Sequence, residues 1–122
     1  MSKVLLVEDD SLLIDIYSTK LKEAGYELEV VSDGSQVVDT AKTYKPDLIL
    51  LDIVLPQMDG WEILKSLKED ESTKGVKVLV LSNLGQKEEI EKGFKLGAVQ
   101  YLIKAHYTPT QVVQEIEKLL SS

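Results

Sequence analysis

Asp47-Leu48-Ile49-Leu50-Leu51-Asp52 runs directly into Ile53-Val54-Leu55-Pro56-Gln57-Met58-Asp59-Gly60. Four consecutive aliphatic residues end in an acid, and a turn marked by Pro and Gly comes next. A short apolar run bounded by turn signals predicts a strand buried on both faces. Its carboxyl end carries Asp52, and open α/β sheets gather their chemistry outside the carboxyl ends of their strands.

Four further strands are predicted around this one. Val4-Leu5-Leu6-Val7 is a continuous aliphatic run that ends in Glu8-Asp9-Asp10. Ser11 is the expected cap of a helix carrying Leu13, Tyr17, Leu21 and Ala24, which Gly25 stops. Leu28-Glu29-Val30-Val31 predicts a strand interrupted by a charge, and Val37, Val38, Ala41 and Tyr44 mark a helix closed before Pro46. Beyond the opening stretch, Trp61, Ile63, Leu64 and Leu67 predict a helix ending near Asp70. Val78-Leu79-Val80-Leu81 is a strand ending at Ser82-Asn83, and Ile90, Phe94 and Leu96 belong to a helix ended by Gly97. Val99 to Ile103 is the fifth strand, ending at Lys104, and Thr108-Pro109 starts a last amphipathic helix with Val112, Val113, Ile116, Leu119 and Leu120.

Five strands alternating with five helices imply a doubly wound parallel five-stranded sheet, a (βα)5 chain with helices on both faces. The first, third and fourth strands are purely aliphatic, as interior strands should be, whereas Glu29 and Gln100 interrupt the second and fifth. Of the common orders, 2-1-3-4-5, the flavodoxin-like one, puts those two at the edges. It also places the switch point between the strands that end in Glu8-Asp9-Asp10 and in Asp52.

Composition narrows the function. A chain of 122 residues, 43% hydrophobic and 29% charged, is the size and make-up of one soluble domain. Its net charge of −7 repels phosphate backbones, so direct nucleic-acid binding is not expected. The absence of Cys excludes disulfides and thiolate metal sites. No apolar run approaches the roughly 20 residues needed to cross a bilayer, so membrane insertion is not expected. No signal-peptide pattern precedes Val4, and a cytoplasmic protein is the expectation.

In the 2-1-3-4-5 order, Glu8, Asp9, Asp52, Ser82 and Lys104 all stand at one edge of the sheet, on strands about 4.8 Å apart. Crowded carboxylates repel one another unless they are protonated or bind a cation. A donor set of hard oxygens without His or Cys favours Mg2+, or Mn2+, over zinc. A carboxylate can also attack a phosphoryl group, a transfer that needs its equatorial oxygens neutralised more than it needs proton chemistry.

These motifs, in this order along essentially the whole chain, resemble the receiver domain of two-component response regulators, of the stand-alone, CheY-like single-domain type. The resemblance is carried by Val7-Glu8-Asp9-Asp10, Leu50-Leu51-Asp52, Leu55-Pro56-Gln57-Met58-Asp59-Gly60, Leu81-Ser82, and Gly97-Ala98 leading to Tyr101-Leu102-Ile103-Lys104. It implies a single receiver over residues 1–122 without an effector domain. Asp52 is then the acceptor of a phosphoryl group from a histidine kinase or phosphotransfer protein, and the domain assists its own phosphorylation and dephosphorylation. The same resemblance implies Mg2+ bound by Asp9, Asp52 and the Val54 backbone carbonyl, with Glu8 acting through a bound water. Ser82 and Lys104 hold the phosphoryl group, and Ser82 and Tyr101 form a switch. The fourth helix, fifth strand and last helix present the changed face to a downstream protein.

One position departs from the family. Receivers commonly carry Pro after the lysine, with a cis bond, and this chain has Ala105. A cis bond before a non-proline residue costs about 2.5–4 kcal/mol, so a trans bond is predicted. Asp10, Asp59 and Gly60 are read as turn and cap residues, Trp61 as packing and His106 as a solvated loop residue. Lys87, Glu88, Glu89, Glu91, Lys92 and Lys95 are read as a solvated helix face. Two other functions compete: an interaction module that works without phosphorylation, and an aspartyl-nucleophile phosphatase. The phosphatase would place a second Asp two residues after the nucleophile, where this chain has Val54.

Overall fold

A computed structural model describes residues 2–56 and 58–121; Met1, Ser122 and the Gln57 of the opening stretch lie outside the described residues. Five strands, β1 (Lys3–Val7), β2 (Glu27–Val31), β3 (Leu48–Leu51), β4 (Lys77–Ser82) and β5 (Gln100–Ile103), pair in parallel. Their order is β2-β1-β3-β4-β5, as expected from the strand compositions. The helices are α1 (Ser11–Glu23), α2 (Val37–Tyr44), α3 (Gly60–Glu69), α4 (Lys87–Lys95) and α5 (Pro109–Ser121).

Period-two alternation along the interior strands divides the core in two. Leu5, Val7, Ile49, Leu51, Val78 and Val80 face α2 and α3, packing on Val37, Ala41, Ile63, Leu64 and Leu67. Val4, Leu6, Leu48, Leu50, Leu79 and Leu81 face α1 and α5, packing on Tyr17, Leu21, Val112, Val113 and Ile116. With both faces covered, the interior strands bury every residue except the half-exposed Lys3 and Lys77.

The helix ends follow local chemistry, with one correction. Asp10, not Ser11, caps α1: its Oδ1 accepts from the Leu12 and Leu13 N–H groups at 2.9 and 3.3 Å. Ser11 is already helical. A carboxylate is the stronger acceptor for the free N–H groups of a first turn, and its charge suits the positive end of the helix dipole. Asp59 caps α3 through the Trp61 N–H at 3.0 Å, and Thr108 Oγ1 accepts from the Gln111 N–H at 3.1 Å at the start of α5. Gly25 ends α1 at φ +93°, a conformation in which a Cβ would strain. One strand bound also changes: Val99 is an exposed residue ahead of β5. Phe94 lies on α4, as expected, and is 45% exposed.

The end of α3 gives a pH-dependent prediction. Asp70 accepts from the Ser72 hydroxyl at 2.7 Å and N–H at 2.9 Å, and pairs with Lys42 at 2.9 Å. The Ser72 hydroxyl, then Lys42 and the Ser72 N–H, hold its carboxyl at about 2, against an ordinary 3.8. The folded state therefore binds this proton less readily than the unfolded chain, and the contribution to stability is fully present above about pH 4. It disappears as pH falls through about 2. Urea unfolding across the acid limb is expected to show a gap between wild type and Asp70→Asn that closes towards pH 2.

Candidate functional site

Backbone hydrogen bonds carry the sheet one residue past the ends of β1 and β3. The Glu8 N–H donates to the Val31 carbonyl and the Asp52 N–H to the Val7 carbonyl, each at 3.1 Å. Both acids thus leave the sheet from fixed positions. Just beyond, the chain folds back on itself: Val54 pairs with Asp59 in an antiparallel bridge, and the Gly60 N–H donates to the Ile53 carbonyl at 3.1 Å.

Glu8, Asp9, Asp52, Val54, Asn83 and Lys104 line an open cavity of about 320 Å³ at this edge. Asp10 and Leu13 also reach it. Glu8 is 2% and Asp52 6% exposed, whereas Asp9 stands in solvent. The Lys104 ammonium spans the two buried acids, donating to Glu8 Oε1 at 2.8 Å and to Asp52 Oδ2 at 2.9 Å. Asp52 Oδ1 accepts from the Val54 N–H at 3.0 Å. Glu8 Oε2 accepts from the Asp9 and Asp10 N–H groups, both at 3.2 Å.

Burial, reinforced by the charge of Asp52, pushes the Glu8 carboxyl up, although Lys104 and the Asp10 N–H pull the other way. Burial also opposes the Lys104 ammonium, but its bonds to Glu8 and Asp52 outweigh burial and raise its pKa. The ammonium is thereby kept charged between two acids.

Carboxylate oxygens of Glu8, Asp9 and Asp52 all lie within 4.8 Å of one another. With no nitrogen or sulfur ligand among them, this donor set fits a hard divalent cation that keeps waters of its own. Ser82 is fully buried and does not line the cavity; its Oγ accepts from the Leu84 N–H at 3.2 Å. The Tyr101 hydroxyl donates to the Leu84 carbonyl at 2.6 Å, so a single loop residue links both expected switch side chains. The Tyr101 ring is buried and stacks on Trp61, with centroids 6.4 Å apart.

With Ala105 following it, the Lys104 ammonium reaches both Glu8 and Asp52. Among the described residues no peptide bond is cis, in agreement with the trans expectation. Sequence pattern alone did not single out Asn83 or Leu13 as site residues, because each matters through position in space. Lys92 is exposed, as expected of a solvated face, and its Nζ also lies 5.1 Å above the Trp61 ring. His106 is exposed, as expected.

Residues 4–117 match the family of the response regulator receiver domain. The chain belongs to that family. This receiver is 38% identical over 104 residues to the DNA-binding dual master transcriptional regulator RpaA of Synechocystis, a match covering 85% of this chain and 43% of that protein. It is 32% identical over 120 residues to the alkaline phosphatase synthesis transcriptional regulatory protein PhoP of Bacillus subtilis, covering 97% and 48%. The receiver thus spans less than half the length of these curated relatives. Its fold matches the chemotaxis protein CheY4 of Vibrio cholerae with a TM-score of 0.89 at 29% identity, covering 97% of this chain and 98% of that one. It matches the Mn(2+)-bound form of response regulator Rcp1 with a TM-score of 0.84, also at 29% identity, over 97% and 93%. Receivers are phosphoaccepting signalling modules of two-component systems, with an acidic site for Mg2+ or Mn2+, and they work between histidine kinases and downstream effectors. No described helix of this receiver is long and apolar enough to cross a membrane.

Proposed function

We propose that Asp52 is the phosphoryl acceptor of this receiver and that a histidine kinase or phosphotransfer protein is its donor. The observation that carries this reading is the setting of the Asp52 carboxylate. It is nearly buried at the end of β3, bonded to the Lys104 ammonium and the Val54 N–H, and open to an acidic cavity. In the step, a carboxylate oxygen of Asp52 attacks phosphorus while the bond from phosphorus to the donor's imidazole nitrogen breaks. The imidazole leaves with that electron pair, and the product on Asp52 is an acyl phosphate.

Asp9, Asp52 and the Val54 carbonyl would hold Mg2+, or Mn2+. Both Glu8 oxygens already accept hydrogen bonds, which supports its acting through a bound water. When bound, the cation supplies positive charge against the equatorial oxygens of the phosphoryl group. Lys104 needs only to turn its ammonium from Asp52 Oδ2 to a phosphoryl oxygen. Ser82 would turn its hydroxyl from the Leu84 N–H towards the same group, and Tyr101 would follow through the shared Leu84 peptide. The face formed by α4, β5 and α5 would then offer a downstream protein a changed surface, a two-state equilibrium biased by the added charge of about −1.5 to −2.

The position of Lys104 weighs against the phosphorylation-independent reading, since its ammonium remains on the acceptor without the proline. Val54, exposed where a second Asp would act, weighs against the phosphatase. Chelating divalent cations is expected to abolish labelling of the receiver by a small acyl phosphate. Asp9→Asn is expected to raise the Mg2+ concentration needed for half-maximal labelling by about tenfold or more. Labelling that survives chelation would remove the metal from the reading.

A further inference from the structure

Where the backbone ladder between β4 and β5 stops, at the pair Ser82 and Ile103, the next residues out are Asn83 and Lys104. Lys104 opens a 3-10 turn, Lys104–His106, in which the Tyr107 N–H returns to the Lys104 carbonyl at 3.3 Å. The first N–H groups of any such turn have no partner within it. Ile103, which precedes the turn, caps none of them with its side chain. The acceptor comes from the neighbouring strand: Asn83 Oδ1 takes the Ala105 N–H at 3.1 Å. A side chain therefore continues the strand pairing after the backbone has left it.

We propose that Asn83 is a positioning residue for the phosphoryl site, acting on Lys104 through the Ala105 N–H. The peptide it holds is the one on the carboxyl side of Lys104, so it fixes the base of a side chain whose tip must reach both Glu8 and Asp52. Without that hold, the turn swings with the exposed loop and the ammonium visits its two acids less often. Asn83 also follows Ser82 directly and lines the same cavity, so one carboxamide ties together the two loops that carry the phosphoryl-holding groups. The bond depends on the residue at 105 having an N–H, which Ala supplies and Pro lacks. The inference rests on the phosphoacceptor reading for its kinetic arm alone.

Two measurements on the intact chain test it. In unphosphorylated protein, Asn83→Ala is expected to lose hydrogen-exchange protection at the Ala105 amide and to move the side-chain 15N signal of Lys104. Asn83→Asp keeps an acceptor oxygen at the same reach and is expected to keep the amide protected. With acetyl phosphate as donor, Asn83→Ala is expected to label about 3–10-fold more slowly at saturating Mg2+, the scale of one lost hydrogen bond, with the Mg2+ midpoint unchanged. An unaltered Ala105 amide, or an unmoved Lys104 signal, would overturn the proposal whether or not the protein is phosphorylated. So would a rate that excess Mg2+ restores, which would make Asn83 part of the cation site. Failure of wild type to label, with the amide and Lys104 responses as expected, would instead count against the phosphoacceptor reading.

Discussion

Asp52→Asn is expected to abolish labelling by acetyl phosphate in the presence of Mg2+, with a loss of about 1,000-fold or more, or roughly 4 kcal/mol in the barrier. The two side chains are nearly the same size, so the loss would come from chemistry. A carboxamide is a poor nucleophile because its oxygen lacks the negative charge of a carboxylate and its nitrogen lone pair is delocalised into the carbonyl. Lys104 would keep its bond to Glu8 Oε1, and the carboxamide oxygen could still accept from the Val54 N–H. The measurement is intact-protein mass after labelling, with circular dichroism to confirm the fold. A variant that gains a phosphoryl group at the wild-type rate would move the acceptor elsewhere, and Asp9 would be the first place to look.

Gly60→Ala is expected to be the most damaging single methyl in the described chain. A Cβ at residue 60 would stand 2.3 Å from the Ile53 carbonyl oxygen and 2.4 Å from the Ile53 Cα. Both are backbone atoms, so no rotamer change relieves the contact and the loop itself must open. A cost of about 4 kcal/mol or more is expected, which for a domain of this size lowers Tm by roughly 15 °C or more. The damage would reach the site as well, because the loop pinned by Gly60 carries Val54, whose N–H holds Asp52. Gly75→Ala is the control: nothing lies within 4 Å of its added Cβ. A shift smaller than about 0.5 kcal/mol, or a slight gain, is expected there. Equal melting temperatures for the two variants would refute the account of Gly60.

The strand order was legible because interior and edge strands differ in composition. Val78-Leu79-Val80-Leu81 carries no polar residue, whereas Glu29 and Gln100 lie on the two edge strands. Asp52 was legible because an acid ending a wholly buried run costs stability unless a cation or a hydrogen-bond donor meets it there. Sequence offered both Asp10 and Ser11 as caps of α1 because they are adjacent and either side chain can cap; the geometry of the first turn decided for Asp10. The bonds made by Asn83 and by the Leu84 peptide were invisible for a different reason. Asn83 acts through its side chain on a backbone N–H more than twenty residues away, and the Leu84 peptide serves through backbone atoms that any residue could provide.

The stacking of Tyr101 on Trp61 has a practical side. Trp61 is the only tryptophan in the chain, so every photon of indole emission originates beside this tyrosine. An ammonium lies over the same ring, contributed by Lys92 of α4. Any rearrangement that lifts the tyrosine away or shifts that helix alters the indole's immediate electrostatic surroundings, and with them its wavelength and yield. The protein carries a built-in optical gauge between its acidic edge and α4, readable in a cuvette without a label.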